Sequence, residues 1–171
     1  MSALEWFDKQ VTAIAKPDIL EIGTKNWGGA STHWRARYPQ ANKYILSDYV
    51  AGADVDVMAD AHILSRVFGE NSFDVIIAKS VFEHLRKPWI VAQEMLKTLK
   101  HGGVFLVVTH NCFPIHSYPY DYFRYTKDGL ESLFDGVGEV VTNYDFPCEI
   151  HSQLGKQTNC YLNVCIAGRK L

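Results

Sequence analysis

Three groups of residues have the types and spacing to do chemistry. The first is Ile19-Leu20-Glu21-Ile22, followed by Gly23-Thr24-Lys25, with Gly28-Gly29 ahead of a helical pattern. A glycine-bearing turn between a strand and a helix lets backbone approach a bound nucleotide or nucleoside closely. The G-x-G core of the dinucleotide fingerprint is not met, because Lys25 stands where its second glycine falls. The second group is Asp48 and Asp60, each closing an apolar run. A carboxylate at a strand end accepts hydrogen bonds from ribose hydroxyls or simply makes a turn, and both uses are open to Asp48. Asp60 suits an adenine amine, caps the helix that follows it, or does both.

The third group is dense: His110, Asn111, His116, Tyr118, Tyr120, Asp121, Tyr122, Arg124 and Tyr125. Histidines with an unperturbed pKa of ~6.5 make His110 and His116 candidate bases, with Asp121 able to orient either. Arg124 has the fork to grip a substrate carboxylate or phosphate, or to pair with Asp121 one helical turn away. Tyr120 and Tyr125 are candidate substrate contacts or parts of a packed lid. Glu83 and His84 either approach the same site or serve as packing and capping residues. His110, His116 and Glu83 could also converge on an ion, but no H-E-x-x-H or comparable spacing exists and no metal is expected.

These groups need elements to hold them. Leu4, Phe7, Val11 and Ile14 fall at helical spacing, predicting an amphipathic helix over Leu4–Ala15 that stops at Pro17. Strands are predicted at Ile19–Ile22, Lys43–Asp48, the "DVDVMAD" run ending near Asp60, Phe73–Ala78 and Val104–Thr109. Helices are predicted at Ser31–Tyr38, His62–Phe68, Pro88–Lys100 and from a Thr126 cap to Phe134. Two final strands, Glu139–Phe146 and Tyr161–Ala167, follow each other without a helix and should pair as an antiparallel hairpin. The alternation predicts one α/β domain over residues 1–171: a Rossmann-like three-layer sandwich around a mostly parallel sheet, closed by the C-terminal hairpin. In such a sheet ligands bind beyond the carboxyl ends of the strands, so strand ends form the shortlist of site residues, with Lys79-Ser80 and His110-Asn111 on it.

Composition sets bounds. The chain has 171 residues, 47% hydrophobic and 21% charged, with a net charge of −2, which fits a globular protein with no overall pull toward nucleic acid or membrane. Charged residues interrupt the N-terminal segment and no apolar run reaches membrane-spanning length. The four cysteines form no C-x-x-C pair, so a reduced, cytoplasmic protein is expected.

Several phrases in order resemble the class I S-adenosylmethionine-dependent methyltransferases, specifically the small type 11 domains. "ILEIG" resembles their first motif and "YILSDYVAGADVDVMADAHIL" their acidic second-strand motif. "NSFDVIIAKSVFEHLRKPW" is similar to their fourth-strand region, and "EMLKTLKHGGVFLVV" to the helix and fifth strand that follow. "HSYPYDYFRYTKDGLESLF" is similar to a subgroup often found with polysaccharide-biosynthesis genes. The resemblance implies S-adenosylmethionine as cofactor, with Glu21, Gly23 and Thr24 at its methionine and ribose end. It implies Asp48 at the ribose, Asp60 and Ala61 at the adenine, and Lys79 and Ser80 at the amino-acid end. Lys25 departs from the family glycine, so the loop swings wider or Gly28-Gly29 make its tight turn. The function implied is methyl transfer to oxygen or nitrogen of a small polar acceptor, with no nucleic-acid or membrane partner. A non-catalytic binding module on the same fold is the alternative, and the missing G-x-G-x-x-G weighs against a nicotinamide enzyme.

Overall fold

A computed structural model describes residues 1–27, 31–116, 119–151 and 157–171. Gly28-Gly29 and Tyr118, named above, lie outside the described residues. The first helix, α1, runs Ala3–Thr12. Ser2 and Glu5 form a reciprocal capping box at its start, and Trp6, Phe7 and Val11 are its buried face.

The parallel strands are β1 (Asp18–Ile22), β2 (Lys43–Asp48), β3 (Val57–Met58), β4 (Phe73–Lys79) and β5 (Leu99–His110). Between them lie α2 (Leu64–Phe68) and α3 (Pro88–Thr98). The remaining elements are α4 (Lys127–Glu131), capped by Thr126, then β6 (Val137–His151) and β7 (Gln157–Lys170). All seven strands form one sheet in the order β3-β2-β1-β4-β5-β7-β6. β7 is antiparallel to both neighbours, as the predicted hairpin requires, but it inserts between β5 and β6. The order reverses at β1, whose neighbours are β2 and β4, and this is the switch point where an open sheet offers a crevice.

Alternate residues of the central strands feed two cores, one on each face of the sheet. Leu20, Ile76, Phe105 and Ile166 pack with α2, α3 and α4. Ile19, Val75, Ile77 and Leu106 pack with α1 and Tyr38 on the other. Phe105 stacks on Phe134 with centroids 4.4 Å apart, tying the end of the α4 segment to the sheet. Among the described residues, no helix is long and apolar enough to cross a membrane.

Several predicted elements are shorter than expected. The helix Ser31–Tyr38 is only a 3-10 turn, Arg35–Arg37. Trp34 N–H donates to Glu21 Oε2 at 2.8 Å, and Arg35 and Arg37 bind Asp56 and Asp8, so side-chain anchors replace the helical ladder. In the "DVDVMAD" run only Val57–Met58 is strand; Asp56 accepts from the Leu46 N–H at 2.9 Å, which turns its side chain into a partner for β2. The segment after Asp60 begins as a 3-10 turn, Ala61–Ile63, before α2. α3 stops at Thr98, and β5 starts at Leu99 and runs through Gly102-Gly103 instead of beginning after them.

Candidate functional site

A cavity of about 780 Å³ opens at the carboxyl ends of β1, β2 and β4. That volume suits a cofactor-sized ligand. Its floor comes from Ile22, Gly23, Ser47 and Asp48, and one side from Ala59, Asp60 and Ala61.

Gly23 ends β1 at φ +75°, where a Cβ would meet Val81 Cγ2 at 2.2 Å, so only glycine lets the turn close against the segment after β4. Ser80 at the end of β4 also has positive φ, +54°, a strained backbone for a non-glycine residue at the cavity edge. Asp48 accepts the Lys25 N–H at 3.1 Å and the Val50 N–H at 3.0 Å, which pins the loop to β2. Lys25 itself lines the cavity, its ammonium 4.0 Å over the Trp27 ring and its stem beside Gly52. Asp60 caps the Ala61–Ile63 turn through the His62 N–H at 2.9 Å and keeps a largely exposed carboxylate at the cavity wall.

Glu21 and Thr24 are not among the described wall residues. The Thr24 hydroxyl donates to the carbonyl of Asp54 at 2.6 Å, a loop-fastening role. Glu21 sits behind the wall, accepting from Trp34 N–H and from the Tyr44 hydroxyl at 2.6 Å. Burial pushes its carboxyl above the ordinary range, against the pull of those donors. Lys79 lines the cavity and donates to the Thr32 carbonyl at 2.9 Å; burial lowers its pKa, against the attraction of Glu21.

The cavity lining also includes a cluster of imidazoles in ring contact, the imidazole wall of His84, His110 and His116. His110 comes from the end of β5 and stacks on Phe113 at 4.1 Å. Its Nδ1 is 3.0 Å from Asn163 Oδ1 on β7, and its Nε2 is 3.0 Å from Glu83 Oε1. Glu83 is fully buried in the 3-10 turn Phe82–His84, and Thr109 donates to its Oε2 at 2.7 Å. Burial disfavours both charges, yet Glu83 and His110 offset that for each other, holding the carboxyl below and the imidazole above their ordinary values. His84 Nδ1 is 2.6 Å from the Tyr120 carbonyl, and its ring meets His116 edge-on at 4.8 Å. Asp121 accepts the His116 backbone N–H at 2.8 Å and lies 3.5 Å from its Nδ1.

Arg124 is not among the described residues that line the cavity. Its five N–H donors are all committed: two to the Asp121 carboxylate at 2.5 and 2.7 Å, and three to the carbonyls of Phe113, Pro114 and Phe123. Tyr125 is buried, its hydroxyl donating to the Phe82 carbonyl at 3.0 Å. Both residues staple the 111–125 segment instead of facing the cavity, whereas Tyr120 and Tyr122 do line it. Asn163 and Phe113 escaped the sequence reading: a lone asparagine on a late strand carries no signal that it meets a histidine on β5.

Residues 27–107 match the family model described as a methyltransferase domain. The chain also superposes on YcgJ of Bacillus subtilis with a TM-score of 0.71 at 16% identity, covering 98% of this chain and 97% of that one. The fold is that of the methyltransferases. A SAM-dependent methyltransferase from Archaeoglobus fulgidus superposes at TM-score 0.66 and 13% identity, covering 97% and 94% of the two chains. The 1,6-didemethyltoxoflavin-N1-methyltransferase of Burkholderia thailandensis, solved with S-adenosylhomocysteine, superposes at 0.61 and 12% identity, covering 95% and 77%. No curated protein matches the chain. On this methyltransferase fold the imidazole wall and Asp48 and Asp60 line one cavity.

Proposed function

We propose that the chain, acting as one domain, transfers a methyl group from S-adenosylmethionine to a small polar acceptor. The observation that carries this reading is that the acidic strand ends Asp48 and Asp60 and the imidazoles of His84, His110 and His116 line one cavity. Gly23, Ser80 and the backbone of Lys25 give the close approach a nucleoside needs, and Asp48 and Asp60 supply acceptors for ribose hydroxyls and an adenine amine. Lys79, beside Ser80, serves the amino-acid end, and Glu21 acts behind it through Lys79 and Trp34. When bound, the cofactor supplies an electrophilic methyl on sulfonium sulfur.

The protein's own share is positioning and exclusion of water, since in-line displacement needs little other help. Trp27, Phe113, Tyr120 and Tyr122 close the cavity with apolar surface. For a hydroxyl acceptor a proton must also leave, and it leaves toward His116, which Asp121 orients, while His110, its ring nitrogens beside Asn163 Oδ1 and Glu83 Oε1, braces the wall. The acceptor is sugar-derived or another polar metabolite, in keeping with the polysaccharide-linked resemblance of the 116–134 segment.

Calorimetric titration with S-adenosylmethionine tests the reading. Saturable one-to-one binding, weakened at least ~10-fold by Asp48→Ala in a variant with unchanged circular dichroism, is expected. Absence of binding by the wild-type chain would leave the non-catalytic module standing instead.

A further inference from the structure

The buried oxygen Glu83 Oε1 has no aligned hydrogen-bond donor, although the side chain is 0% exposed. His110 Nε2 is close enough, at 3.0 Å, for charge attraction but is not directed at it. A buried carboxylate oxygen left this way is costly, and native structures keep such atoms where something else completes them. The same oxygen lies 3.8 Å from His84 Nε2. One ligand atom each from Glu83, His84 and His116 lies within 4.8 Å of the others.

We propose that Glu83, His84 and His116 form a binding site for one divalent transition-metal ion of the zinc, iron(II) and cobalt class. Two imidazoles and one carboxylate are the donor set such ions take with coordination positions left open. Ion-to-ligand bonds of about 2.0–2.2 Å would draw the three donors in by roughly an ångström, within the reach of ring rotation. The supporting contacts are already those of metal-bound histidines. His84 Nδ1 is placed to donate to the Tyr120 carbonyl, which turns the lone pair of Nε2 toward Glu83. His116 Nδ1 is 3.3 Å from the Pro114 carbonyl and 3.5 Å from Asp121, contacts that hold its ring in place beside His84. Thr109 holds the second carboxylate oxygen, so Oε1 alone is offered.

His84 and His116 line the cavity, so an ion held there has its open positions toward the bound acceptor. Coordinating an acceptor hydroxyl would lower its pKa and let its proton leave to solvent near neutral pH, with His116 then serving as a ligand in place of a base. That consequence rests on the methyl-transfer reading, whereas binding of the ion does not.

The test uses the metal-stripped full chain without S-adenosylmethionine, titrated with zinc against a chromophoric chelator. One equivalent is expected, weakened at least ~10-fold by His84→Ala and by His116→Ala, and unchanged by the double substitution Cys148→Ser, Cys160→Ser. Cobalt(II) loading of the wild-type chain gives a second readout that needs no variant: visible bands of a nitrogen and oxygen site without a thiolate charge-transfer band. No zinc binding, binding lost in the cysteine variant, or a thiolate band in the cobalt spectrum would overturn the assignment. S-adenosylmethionine titration of the same stripped chain reports separately on the cofactor side, so either reading can fail alone.

Discussion

Glu21 holds a carboxylate in the middle of an apolar strand, and its surroundings explain both its presence and its cost. Its folded-state pKa is raised by burial, so the folded chain binds that proton more tightly than the unfolded chain does. Stability from this group is therefore full at low pH and declines as pH climbs from the ordinary carboxylate range through the raised value. Glu21→Gln keeps an acceptor for Trp34 and Tyr44 and removes the titration. Its melting temperature relative to wild type should be level near pH 4 and higher by a few degrees at pH 7. Differential scanning calorimetry across that range decides, and a flat difference would count against the buried-charge account. In the sequence Glu21 is visible as one acidic residue within the apolar run Ile19–Ile22. Its partners Tyr44 and Trp34 are not visible there, because those contacts join segments that only the folded chain brings together. Arg124 shows the same gap: a guanidinium near aromatics reads equally as a substrate clamp or a staple, and only the fate of all five donors separates the two.

Among the elements, residues 111–116 and 119–125 are fastened to the sheet and to the Phe82–His84 turn like a strap. Tyr122 and Phe123 N–H groups bond the Glu83 carbonyl, Tyr125 N–H bonds the His110 carbonyl, and Arg124 ties the strap to itself. Arg124→Lys keeps the charge but loses the fork, which should cost ~1–3 kcal/mol and lower turnover with little change in S-adenosylmethionine affinity. Denaturant melts and kinetics read the two effects, and an equal loss of cofactor affinity would contradict the separation. Gly23→Ala acts on the other side: positive φ and the 2.2 Å approach to Val81 predict loss of cofactor binding together with stability. Binding retained at wild-type strength would show that the turn has room to relax. Long periodic runs such as Pro88–Thr98 were legible because burial of one face decides them. The predicted helix at 31–38 failed because its backbone donors and arginines are claimed by Glu21, Asp8 and Asp56, partners distant in sequence.

In the molecule as a whole, the sheet separates two cores that meet only through strands. Ile76 and Ile77 are sequence neighbours, yet each belongs to a different core. Ile76→Val and Ile77→Val should each cost ~0.5–1.5 kcal/mol, and the double variant should lose their sum within ~0.5 kcal/mol. A coupling above ~1 kcal/mol in denaturant melts would mean that the sheet transmits repacking from face to face. The α/β alternation and the terminal hairpin were readable from strand and helix periods. The position of β7 inside the sheet was not, since an antiparallel pair looks the same in sequence whichever member sits at the edge.

That position has a consequence for how the chain is born. β6 emerges before β7 but has no strand to join until β7 has been made, and the hairpin joins the sheet only through β7 on β5. Until then the apolar edge Val104–Val108 is open to pairing with other chains, the same exposure that drives aggregation of unfinished sheets. Asn163 rides on β7, so the imidazole wall acquires its last orienting contact in the same event that seals this edge. A nascent chain that still lacks β7 is thus adhesive and lacks the Asn163 contact on His110, and one docking step ends both conditions.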